Sequence, residues 1–160
     1  MRYNSNIIIY SNIIMEELTA EINNCVNMFN SICKGICSHL LSKFPKNKNI
    51  IIYHNVVCDI IVKKPKEVIS VFLVNAYSND AYRESILASN EKFFEQSNLE
   101  DITGSDKDNV DVLSQIKACW SQLNKDSKHF IKESMKTLIK ICDLYVNKKD
   151  DLNNLLKKAH

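Results

Sequence analysis

From Ile13 to Phe44 apolar residues recur at steps of three and four: Leu18, Ile22, Cys25, Val26, Phe29, Ile32, Cys33, Ile36, Cys37, Leu40, Leu41 and Phe44. That spacing puts them on one face of an α-helix. Ser11 or Asn12 is placed to cap the start. Phe44-Pro45 ends the helix, because the residue before proline avoids the helical region. Gly35 lies inside the stripe and points to close packing or a bend. A second stripe is formed by Phe130, Ile131, Met135, Leu138, Ile139, Cys142, Tyr145 and Val146, after a joint at Asn124-Lys125-Asp126. The charged tail from Asn147 onward reads as a frayed continuation, with frayed ends at about 1–11 and 148–160.

Shorter elements lie between the stripes. Residues 49–62 carry two signals. Ile50-Ile51-Ile52-Tyr53 and Val56-Val57 favour a strand by β-branching. Ile50, Tyr53, Val57 and Ile60 or Ile61 repeat with helical spacing, and a lone strand cannot satisfy its own backbone. Helix is therefore expected, with a strand as the alternative. Pro65 opens a helix carrying Val68, Ile69, Phe72, Leu73 and Ala76. Ser78-Asn79-Asp80 caps another that runs from Tyr82 to about Phe94. Gln96 to Asn109 is a loop around Gly104, and Val110 to Ser121 is helical. The expected fold is all-α: one domain over 1–160, a compact bundle of six to seven helices with no internal repeat.

Composition removes several function classes. The chain holds two glycines and two prolines in 160 residues, so neither a Walker loop nor a GxGxxG turn exists. Twenty-one basic and 19 acidic residues give a net charge of +2, without the basic excess of a duplex-binding surface, and nucleic acid is not expected as a partner. No run of about 18 apolar residues is present, so no membrane span is expected. Ile7-Ile8-Ile9-Tyr10 is a short apolar run broken by Ser11-Asn12, a poor signal peptide, and an intracellular location follows as the expectation. In a reducing compartment the six cysteines are expected as free thiols.

Candidate chemistry is sparse. Cys33 and Cys37 are four apart, as are His54 and Cys58, so each pair projects from one helix face. Three thiolates and an imidazole suit tetrahedral zinc. The spacing is equally that of core positions, where a free cysteine behaves as a small hydrophobe, and the assignment is no metal and no cofactor. His39 is two residues from Cys37, so on a helix they face apart, and His54 and His129 could approach a cysteine without the sequence saying that they do; no catalytic residue is assigned and no enzyme activity is expected. Asp101, Asp106 and Asp108 surround Gly104 without the alternation of a calcium loop and read as a solvated acidic surface able to meet a basic partner. Lys63, Lys64 and Lys66 flank Pro65; with Lys43, Lys46 and Lys48 they would make one positive patch if both joints lie at the same end of the bundle. Trp120, the only tryptophan, is either a core anchor or an exposed contact residue.

The order of several segments resembles a known group. These are Leu40 to Phe44 with Pro45, Lys63-Lys64-Pro65-Lys66-Glu67-Val68-Ile69, Asn90-Glu91-Lys92-Phe93-Phe94, Ile102-Thr103-Gly104-Ser105-Asp106, and Cys119-Trp120-Ser121-Gln122-Leu123 followed by Ser127-Lys128-His129-Phe130-Ile131. Over roughly residues 32–145 the series is similar to small, largely uncharacterised helical proteins of nucleocytoplasmic large DNA viruses. The chain departs from them at Ser134 and Met135, where a tryptophan or tyrosine is expected. The resemblance implies an AT-rich viral source and a place in host cytoplasm or virion. It carries no catalytic residue over. The expected function is a non-enzymatic interaction protein of a virion or viral complex, with viral or host protein partners and self-association left open. One alternative is a helical bundle that binds host signalling or cell-death proteins through a groove. The other is a zinc- or cysteine-dependent protein.

Overall fold

The computed structural model describes residues 2–96 and 111–158. Among them are seven α-helices and no strand: α1 (Arg2–Lys43), α2 (Lys48–Lys63), α3 (Glu67–Phe72), α4 (Asp80–Leu87), α5 (Glu91–Glu95), α6 (Val112–Cys119) and α7 (Lys125–Lys158). The α3 helix widens into a π turn at Leu73–Tyr77, closed by Ser78 N–H donating to the Leu73 carbonyl at 2.9 Å. A 3₁₀ turn at Trp120–Gln122 follows α6. None of the described helices is long and apolar enough to cross a membrane.

With glycine and proline scarce, asparagine punctuates the chain. The side-chain oxygens of Asn47, Asn79, Asn90 and Asn124 accept from backbone N–H groups in the first turns of α2, α4, α5 and α7. Asp111 does the same for α6. Each satisfies a donor that the helix start leaves open. The Asn47 cap and the apolar face of Ile50, Tyr53 and Val57 make residues 48–63 a helix despite their β-branched content. Packing on a helical face outweighs an intrinsic strand preference.

Three features differ from the pattern. The first long helix begins at Arg2 rather than near Ile13. The expected single helix from Tyr82 to Phe94 is two, because Ser89 sits at φ 53 and turns the chain between α4 and α5. Asn90 N–H donates back to the Ser85 carbonyl at 3.0 Å, a Schellman-type closure that normally uses glycine. Ser89→Gly is expected to stabilise the fold by about 1 kcal/mol by removing the Cβ penalty of the left-handed region. A rise in the urea midpoint at unchanged slope checks it. Gly35 is the third: it lies exposed on a continuous helix with nothing within 4 Å of where a Cβ would stand, so close packing does not explain it.

α1 and α7 pack antiparallel as the long axis of the molecule, roughly 63 and 51 Å at 1.5 Å per residue. Their register is marked by His39 against Ser127 at one level and by Glu21 against Lys148 at another. The short helices wrap only part of this pair. The α2 and α3 helices lie on α1, and α4 with the π turn lies on α7. Among the described residues, α1 buries nothing before Ile22 and α7 nothing after Tyr145. Those two residues stand at nearly the same level, so the core ends there on both helices. Beyond it the pair continues outward as a two-helix stalk, residues 11–21 of α1 beside residues 148–158 of α7, and residues 5–10 of α1 run on past the last described residue of α7.

Candidate functional site

Trp120 is a core anchor and not a contact residue. It is 1% exposed, stacks on Phe94 at 4.7 Å between ring centroids, and donates its Nε1–H to Glu91 Oε1 at 3.3 Å. Phe93 and Tyr82 extend the aromatic cluster. Glu91 pairs with Lys128 at 3.5 Å and with Lys132, and both ammonium groups lie over the Trp120 ring. The Lys132 hydrogen bond holds the Glu91 carboxyl below its usual range. A large ring with a polar edge finds both an apolar neighbour and an acceptor here, which is why it sits inside.

The lysine joints do not merge. Lys48 opens α2 and Lys63 closes it, so the cluster at Lys43, Lys46 and Lys48 is separated from Lys63, Lys64 and Lys66 by a helix of about 24 Å. Lys63, Lys64 and Lys66 are exposed, with Lys63 bridging Asp59 at 3.1 Å along the helix. Such an exposed pair contributes little. Asp101, Asp106 and Asp108 lie outside the described residues.

The zinc candidates do not converge. His54 Nε2 stands 3.9 Å from Cys58 Sγ across one turn of α2. Cys33 and Cys37 are buried one turn apart in α1. Among the described residues no three His, Cys, Asp or Glu side chains are grouped to hold a metal ion, so these four form no common ligand set. The thiols behave as core. All six are free, and all but Cys58 are buried. Burial pushes Cys25 and Cys33 up, and pushes Cys37 and Cys142 up to about 12 and Cys119 up to about 11. Since the thiolate is the reactive form, a native titration with a disulfide reagent should show one fast thiol per chain, lost in Cys58→Ser. Several fast thiols would contradict the burial.

One polar pair escaped the sequence. His39 Nε2 and Ser127 Oγ share a 2.8 Å hydrogen bond across the α1–α7 seam, with the His39 ring tilted over Phe130 at 4.7 Å. It has the form of a serine–histidine dyad but not the setting of one. Ser127 is buried, and burial, with the charge of Lys43 second, lowers the imidazole pKa. A catalytic base instead has a third group that orients it and an approachable nucleophile. The bond fixes helix register.

The stalk leaves large apolar side chains in water. Ile7, Ile8, Ile9, Tyr10 and Ile13 are 55, 58, 57, 70 and 48% exposed. Successive helix residues are about 100° apart, so Ile7 to Tyr10 cover most of the circumference of α1. A helix that is apolar all round is normally buried. Between Arg2 and Glu16 the sequence has no charged residue. Ile14, Met15 and Leu18 on α1 and Leu152 and Leu155 on α7 are half-buried along the seam, and Leu156 is exposed. Helical continuity through Ser11-Asn12 was the missing step: without it, this run reads as a broken segment before the first stripe. The chain matches no family model, no characterised protein and no solved structure.

Proposed function

We propose that the protein works by binding other proteins, as a non-enzymatic component of a complex or particle of a large DNA virus. The observation that carries the binding part is the exposed apolar turn Ile7–Tyr10 of α1, in a stretch without charge between Arg2 and Glu16. Monomeric proteins rarely leave contiguous apolar patches of more than a few hundred Å² in water, and larger ones mark contact sites. The dispersal of the zinc candidates and the inert setting of Ser127 and the buried thiols favour binding over chemistry. The viral setting rests on the resemblance of residues 32–145.

Affinity purification of the tagged full chain from its native cells, with partners weighed by mass spectrometry, tests the proposal. Viral proteins recovered at fixed ratio support it, provided that Ile8→Asp with Tyr10→Asp releases them. Host proteins alone would replace it with the reading as a binder of host signalling or cell-death proteins.

A further inference from the structure

We propose that the stalk is covered by a second copy of this chain, two α1–α7 pairs closing into a four-helix bundle. The inference rests on the binding reading above and names the partner at that surface. Three observations point to a copy rather than to a groove or a lipid surface.

The first is shape. A groove receives one stripe of a helix, whereas Ile7, Ile8, Ile9 and Tyr10 point to different sides of α1. Two stalks paired antiparallel enclose residues 11–17 of each α1 within four helices, and Ile7 to Tyr10 run on past the last described residue of α7 onto the second copy's α1–α7 pair. The second is charge. Interfacial membrane helices carry lysine and arginine on their polar face. On α1, residues 3–15 carry none and the acidic Glu16 and Glu17 follow; the lysines at this level, Lys157 and Lys158, belong to α7.

The third is register. Counting outward one residue for one from the Glu21–Lys148 bridge (2.9 Å) sets Lys157 level with Asn12 and Lys158 level with Ser11. Turn a second copy about a two-fold axis crossing the stalk at the level of Ile14. Its Lys157 and Lys158 then come level with Glu16 and Glu17 of the first, and symmetry repeats the match. The same rotation lays Tyr10 level with Leu18 of the second copy. Among the described residues none of these four charges is in an ion pair within its own chain. The exposed apolar side chains of two stalks, Leu156 included, offer on the order of 1,000 Å² in total, the scale at which specific interfaces begin.

Sedimentation equilibrium of the full chain across the micromolar range tests this. The expected mass is twice the 18.4 kDa of one chain. Ile8→Asp with Tyr10→Asp should give the monomer at unchanged helical content. Glu16→Lys with Glu17→Lys should raise the dimer dissociation constant about tenfold. Adding Lys157→Glu and Lys158→Glu to that variant should restore it, a rescue that a mere folding defect would not show. A monomeric wild type overturns self-pairing, as does a dimer indifferent to all of these substitutions, or a monomer that floats with phosphatidylcholine vesicles. A monomer that still holds viral partners through Ile8 and Tyr10 sinks the dimer and leaves the binding reading standing. A dimer that obeys the charge swap but recovers no viral protein supports the pairing and removes the viral-complex reading.

Discussion

Trp120→Ala is expected to lower stability by about 3–5 kcal/mol, the range for truncating a fully buried large aromatic. That is a fifth or more of the roughly 5–15 kcal/mol that a domain holds. The ring is the meeting point of two short helices and the long α7. It follows α6, stacks on Phe94 of α5, and accepts the α7 lysines above it through Glu91. Removing it opens a cavity under Phe94 and leaves Glu91 without its indole donor. The loss should be cooperative and visible in the urea midpoint by circular dichroism. As Trp120 is the only tryptophan, its fluorescence reports the unfolding of the wild type but not of the variant. Trp120→Phe keeps the stacking face and loses the N–H, so it should cost less than half as much. If both cost under about 1 kcal/mol, this cluster is peripheral to the fold.

How far the sequence could be read follows from what leaves a local mark. The α1 and α7 stripes were legible because burial on one helix face recurs every three or four residues. Ile22, Cys25, Val26, Phe29, Cys33, Ile36, Cys37 and Leu40 are all buried, and so are Ile131, Met135, Leu138, Ile139, Cys142 and Tyr145. The α4–α5 break was not legible, because Ser89 takes a left-handed turn without glycine to announce it. The meeting of His39 with Ser127 spans 88 positions of sequence, and non-local pairing has no spacing signature. The separation of the lysine joints depends on α2 being a helix of 16 residues, which its β-branched composition left open. The stalk was hidden for another reason. Local pattern shows that Ile7 to Tyr10 are apolar, but burial on the long pair stops at Ile22 and Tyr145, and how far the short helices cover that pair is a non-local outcome.

One substitution made at two places on α1 separates the core from the contact surface. Ile36→Asp should leave no cooperatively folded protein. Ile36 is fully buried in the core cluster. Its side chain contributes about 1.5–3 kcal/mol by burial. A carboxyl in its place must stay protonated at neutral pH, about 3 units above the ordinary Asp pKa, costing roughly 4 kcal/mol more. Together these reach the whole stability of an ordinary domain. Ile8→Asp, on the same helix, should change the stability of the isolated chain by less than about 0.5 kcal/mol, since the side chain it replaces is already mostly in water. Thermal melts by circular dichroism at low protein concentration check both. At high concentration the wild type should melt above Ile8→Asp, because association stabilises only the folded state. An equal loss at both positions would mean that Ile8 belongs to the core of one chain. Unequal losses, with a concentration-dependent gap at Ile8 alone, mean that four large apolar side chains are kept in water for what they bind.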